Sequence, residues 1–188
     1  AHVTYFFNGG KEKPFAGEER MLVPSPKVAR FDATPEMSAA KITEYILENL
    51  GKYDFILANL ANGDMVGHTG NFEATARAIE VLDFSVGKIM SPVLESGGAM
   101  VVTADHGNAE EKVTASGEKR TKHTSNAVPC FIIAADLKRK NPRPEGEIFS
   151  RYMEAKGVLS DVTSTVLGLI HINKPSDMTS VDLLPRIY

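Results

Sequence analysis

Apolar residues recur along this chain in two rhythms. Between 36 and 50, Ile42, Tyr45, Ile46 and Leu50 return at three and four residues, the period of one buried helical face, with Thr34 and Pro35 as cap and first-turn proline and Gly51 as the stop. The same period runs from 71 to 95 through Phe72, Ala76, Ile79, Leu82, Val86 and Ile89, where Pro92 predicts a kink or break and Gly97-Gly98 the end. Val162, Val166 and Leu169 predict a further helix over 160–169. The other rhythm is the short continuous apolar run: YDFILANL at 53–60, AMVVTA at 99–104 and VPCFIIA at 128–134. Runs of that length predict buried strands. Helices alternating with buried strands predict an α/β fold with a mostly parallel sheet flanked by helices.

Residues 1–35 have neither rhythm. Gly9, Gly10, Pro14, Gly17, Pro24, Pro26 and Pro35 break regular structure, so this stretch is expected to be an extended arm on an α/β core of 36–188. Its opening, 2–7, reads as strand-like. The first residue is Ala1 rather than Met and no leader precedes that stretch, so an N-terminal portion is expected to be missing.

Charge and composition narrow the function. With 21 Lys+Arg against 24 Asp+Glu, a net charge of -3 and a pI near 6.0, the chain carries no field of one sign, which argues against a nucleic-acid partner. No apolar run approaches the roughly 18 residues of a membrane span, and the N-terminus lacks a secretion signal. The single cysteine, Cys130, lies in an apolar run, reads as a small buried hydrophobe and fits a reducing, cytoplasmic compartment.

Three polar clusters follow the predicted strands: Asp64 to His68, Asp105-His106-Gly107-Asn108, and His123-Thr124-Ser125-Asn126. Sites of parallel α/β folds gather at the carboxyl ends of strands. Two carboxylates and three imidazoles without a thiolate set suit a catalytic divalent ion such as Mn²⁺ or Zn²⁺ better than a structural zinc knuckle. Asp64 and His68 are four apart, so either one helical turn or a tight loop at Gly67 can bring them together. Asp105 and His106 are adjacent, and neighbours in a strand point to opposite faces, so they can share an ion only where the strand ends. Each cluster also has a plainer reading: a surface ion pair, a polar turn, a solvated loop. Their joint occurrence after successive strands favours the metal.

The segments NGDMVGHTG (62–70), TADHGNAE (103–110) and HTSN (123–126), with HVTYFFNGG (2–10), LVPSPKV (22–28) and PEMSA (35–39), strongly resemble the cofactor-independent (2,3-bisphosphoglycerate-independent) phosphoglycerate mutases of the alkaline phosphatase superfamily. The resemblance implies an alkaline phosphatase-like fold and conversion of 3-phosphoglycerate to 2-phosphoglycerate through a phosphoserine, with two divalent ions, Mn²⁺ foremost, and no 2,3-bisphosphoglycerate. It implies that Asp64, His68 and His123 ligate one ion, and Asp105 and His106 the other. It further implies a phosphoglycerate substrate, a cytoplasmic enzyme of glycolysis and gluconeogenesis, and a monomeric full-length protein with neither a nucleic-acid nor a membrane partner. The family's nucleophilic serine motif and inserted substrate domain do not occur in these 188 residues, so the chain is expected to be a C-terminal portion of the phosphatase-type domain, inactive alone. Another phosphomutase or phosphatase of the superfamily, or a metal-binding module without catalysis, are the alternatives.

Overall fold

The structure, a computed structural model, describes residues 1–114 and 116–187. They form two compact units: Ala1–Pro92 with Gly107–Thr124, and Val93–His106 with Ser125–Tyr188.

The first unit is built on helices. Helix α1 spans Ala39–Asn49, inside the stretch of the apolar period, and buries Ala39, Thr43 and Ile46; it starts after Ser38, so Thr34 and Pro35 are not its cap and first turn but lie in the turn that precedes it. Helix α2, Asn62–Gly67, has only six residues, two of them glycines, too little to hold a helix by propensity. Tertiary contacts supply the difference. The buried Asn62 amide donates to Pro35 O at 2.8 Å and Glu36 O at 2.9 Å, and Val66 packs with Ala74 and Ala78 against Phe31 and Met37. Ala74 and Ala78 lie on α3, Phe72–Glu95, and their four-residue spacing puts two small side chains on one face. Asn71 Oδ1 caps this helix by accepting from Ala74 N at 3.2 Å.

The arm is irregular, as its glycines and prolines predict, and Ser38 Oγ holds it by donating to Pro24 O at 2.7 Å. Its opening is not a strand. His2–Phe6 forms a wide helical turn whose amides bond within the segment, Phe6 N to Ala1 O at 3.1 Å and Asn8 N to Thr4 O at 2.8 Å, because no neighbouring strand offers a ladder among the described residues. The run at 53–60 likewise forms no strand; Phe55 stacks on Phe7 with ring centroids 6.1 Å apart.

The second unit holds the sheet, β1 (Ala99–Thr103) with β2 (Cys130–Ala134). The two pair antiparallel, Ala99 opposite Ala134 and Thr103 opposite Cys130, which corrects the parallel arrangement expected for these runs. A parallel pair needs a crossover, usually a helix, and residues 104–129 contain no helix among those described. Cys130 is exposed at the start of β2, not buried. Helices α4 (Glu145–Tyr152), α5 (Asp161–Leu169) and α6 (Leu184–Ile187) complete the unit. The α/β class holds, with a smaller sheet than the sequence led one to expect.

Pro92 lies inside α3 rather than ending it. The stop is Gly97, at φ 76°, with Gly98 N donating to Val93 O at 2.9 Å and Gly97 N to Leu94 O at 3.1 Å, a Schellman closure. Among the described residues no helix is long and apolar enough to cross a membrane.

Candidate metal centre

Asp64 lies in the first turn of α2 and His68 caps its end, so the four-residue spacing resolves as a helical turn with both side chains on one side. His123 arrives from sequence far away. Thr124 pairs antiparallel with Gly107, its N donating to Gly107 O at 2.9 Å, and this bridge carries His123 to α2. Gly107 is required there, since a Cβ would collide with Thr124 Oγ1 and Glu110 Oε1.

Three donor atoms converge. His68 Nε2 and His123 Nε2 stand 3.1 Å apart, and Asp64 Oδ1 is 3.2 Å from the first and 3.3 Å from the second. Donors held about 2.0 to 2.2 Å from one ion, at angles of about 90° to 110°, lie about 2.8 to 3.6 Å apart. All three separations fall in that interval. His68 Nδ1 donates to Thr121 O at 2.7 Å, which turns the ring so that Nε2 is the nitrogen the neutral imidazole presents to a cation. A carboxylate oxygen and an imidazole lone pair facing each other at this distance are the electrostatics a cation relieves. His68 and His123 are exposed, leaving one side of the centre open.

A buried frame stands behind the donors. Asn108 Nδ2 donates to Asp64 Oδ1 at 2.7 Å, and Asn108 N to Glu110 Oε2 at 2.7 Å. Asn108 Oδ1 accepts from the buried Lys112 ammonium, which also donates to Gly67 O at 3.0 Å. Burial pulls the Lys112 ammonium below its usual range, while the carboxylates of Glu110 and Asp64 favour its charge. Glu110 Oε1 accepts from the Thr124 hydroxyl, so one carboxylate holds the segments that carry Asn108 and His123. The sequence assigns Thr121, Glu110 and Lys112 no role at the centre, since they have no diagnostic spacing, and it places Asn108 in a candidate cluster whose plainer reading is a polar turn.

Asp105 and His106 belong to the second unit. They follow the last residue of β1, Thr103, where the strict alternation of strand side chains ends, and His106 Nε2 lies 3.6 Å from Asp105 Oδ2. They make a two-donor pair.

Residues 1–174 match the metalloenzyme superfamily. Over 186 residues the chain is 48% identical to the 2,3-bisphosphoglycerate-independent phosphoglycerate mutase of Moorella thermoacetica, covering 99% of this chain and 34% of that protein. The corresponding mutase 1 of Methanosarcina acetivorans is 47% identical over 189 residues, again with 99% and 34% coverage. Among solved structures, Leishmania mexicana phosphoglycerate mutase, crystallised at low cobalt concentration, superposes with a TM-score of 0.79 at 34% identity, over 96% of this chain and 34% of that one. The chain thus spans about a third of the length of the curated relatives it matches.

Proposed function

The chain belongs to the metalloenzyme superfamily, and from that premise we propose that its Asp64, His68 and His123 hold one divalent ion of a 2,3-bisphosphoglycerate-independent phosphoglycerate mutase. The convergence of Asp64 Oδ1 and the two Nε2 atoms within 3.3 Å of one another carries this reading. Asp105 and His106 contribute to a second ion. One oxygen and two nitrogen donors without thiolate admit Mn²⁺ or Zn²⁺, and the family resemblance favours Mn²⁺. These residues are the C-terminal, metal-binding portion of the phosphatase-type domain, with 1–35 as its arm and 36–188 as its core. By the family resemblance the attacking serine and the substrate-orienting domain come from outside these residues, which span about a third of the relatives' length.

A bound divalent ion supplies Lewis-acid stabilisation of phosphate oxygens as charge moves during transfer. The chain's own residues do the rest of the local work. Thr121 O keeps the His68 ring turned so that Nε2 faces Asp64. Asn108 holds the Asp64 carboxylate. The basic run 119–122 next to His123 adds positive charge, which favours a phosphate dianion; Arg120 shares its charge with Glu111 at 2.7 Å, and the lysines carry the remainder. On this reading the substrate is a phosphoglycerate, the process glycolysis and gluconeogenesis, the compartment cytoplasmic and the whole protein a monomer. Similarity over 99% of the chain supports it.

The test is whether a phosphate ester comes to the ion. Mn²⁺ bound by the chain should broaden the ³¹P resonance of 3-phosphoglycerate beyond the effect of free Mn²⁺, and His68→Ala should remove the excess. Mn²⁺ binding without excess broadening would show that these residues alone hold the metal but do not bring a phosphate ester to it.

A further inference from the structure

Asn108 is buried, and its amide faces two different neighbours. Oδ1 accepts from the Lys112 ammonium, while Nδ2 donates to Asp64 Oδ1 at 2.7 Å and reaches Asp64 O at 3.3 Å. Turned over, the amide would set its NH₂ against an ammonium and its oxygen against a carboxylate, two repulsive contacts in place of two attractive ones. Lys112 cannot swing away to permit this, being buried and tied to Gly67 O at 3.0 Å. Gly67 leaves no spare room either: a Cβ on it would lie 2.8 Å from Asn108 Oδ1. The backbone of Asn108 is pinned by Glu110 at 2.7 Å. One orientation of the amide remains.

The oxygen that receives this amide is the one that meets both imidazoles, at 3.2 Å and 3.3 Å. A hydrogen bond to it fixes the rotation of the carboxylate and leaves a lone pair for a cation. We propose that Asn108 is a positioning residue of the metal centre, and that Lys112 acts through it by setting the sense of its amide. The inference rests on the reading of Asp64, His68 and His123 as a metal site. It gives the buried lysine a role although its own charge repels a cation.

That opposition supplies the test, because field and positioning have opposite signs. Removing the ammonium, or adding a carboxylate, strengthens cation binding through the field alone. Losing the donor to Asp64 weakens it, by about 10-fold to 100-fold for groups that orient metal ligands. The probe is Co²⁺, titrated into the 188-residue chain at neutral pH and followed by its visible absorption, with far-ultraviolet circular dichroism and the metal-free melting temperature as checks on the fold. Asn108→Ala would strand the Lys112 ammonium and can unfold the chain. Two other variants avoid this. Asn108→Leu with Lys112→Met removes both partners together, and Asn108→Asp keeps acceptors for Lys112 but has no hydrogen to give Asp64. Both are expected to fold and to bind Co²⁺ at least about 10-fold more weakly than the parent chain, with altered visible bands. Equal or tighter binding with an unchanged spectrum in either folded variant would overturn the inference and leave the metal site standing. A parent chain that binds no Co²⁺ would overturn both.

Discussion

Replacing Gly67 by Ala tests how tightly the frame behind the donors is built. Gly67 ends α2, and an added Cβ would fall 2.8 Å from Asn108 Oδ1, 3.0 Å from its Cγ and 3.3 Å from its Nδ2. Relief requires Asn108 to move by about 0.5 Å to restore ordinary van der Waals contact. It is held by Lys112 at Oδ1, by Asp64 at 2.7 Å and by Glu110 at 2.7 Å. Alanine in place of glycine gains up to about 1 kcal/mol of helix propensity. Overpacking costs about 1 to 3 kcal/mol, and loosening a buried hydrogen bond about another 1 kcal/mol. The net expectation is a loss of about 2 kcal/mol, or a melting temperature lower by about 4 to 8 °C for a chain of this size. Urea and thermal melts at neutral pH, without metal and with saturating Mn²⁺, read both consequences. The stabilisation added by Mn²⁺ should shrink by about 1.4 kcal/mol for each tenfold loss of affinity. A variant as stable as the parent, with the same Mn²⁺ increment, would show that propensity wins and that Asn108 has room to give.

Two further outcomes concern the second unit. Asp161 accepts from Val158 N at 3.0 Å and Val181 N at 2.9 Å, and these backbone bonds hold its carboxyl below the usual range. A lowered pKa in the folded state contributes stability that is fully present above the unfolded value, about 3.9, and is lost as pH falls through the lower folded value. Asp161→Asn should therefore flatten the acid limb of stability measured by urea melts from about pH 5 downward, whereas an unchanged limb would remove Asp161 from the account. Gly97→Ala, at φ 76°, should cost about 1 to 2 kcal/mol in the same melts, since the left-handed C′ conformation strains a residue with a Cβ even where, as here, no neighbour stands in its way; no loss would mean that α3 ends another way.

What the sequence revealed follows from how much each element owes to its own residues. Helices α1, α3 and α5 were legible because eleven, 24 and nine residues repeat an apolar period, although on α3 the expected Phe72, Ala76 and Ile79 are exposed and Ala74, Ala78, Ile89 and Val93 are buried. Helix α2 was left open between helix and loop, because what holds it is the Asn62 amide and the packing of Val66, neither of which is periodic. Both strands were found within two residues of their bounds, but an apolar run reports burial and length, not the direction of its neighbour, and their antiparallel pairing was missed. Helix α4 was not read, since its eight residues give Ile148, Phe149 and Tyr152 only one turn in which to repeat, too short a run to establish a period. At the centre, the spacing of Asp64 and His68 allowed them to meet, while His123 was tied to them by the joint occurrence of the clusters and by the family's motif, and it reaches them through the Gly107 and Thr124 bridge. Asn108, Glu110 and Lys112 stand behind the donors for reasons of hydrogen bonding that only three-dimensional placement shows.

The most direct test is equilibrium dialysis of the chain against Mn²⁺ at neutral pH, alongside His68→Ala and His123→Ala. Both histidines are exposed, so each variant should keep its fold. The account predicts one tightly held ion per chain, lost on either substitution, because two remaining donors do not hold what three converge on. A folded parent chain that retains no ion, or variants that retain it undiminished, would contradict the assignment of Asp64, His68 and His123.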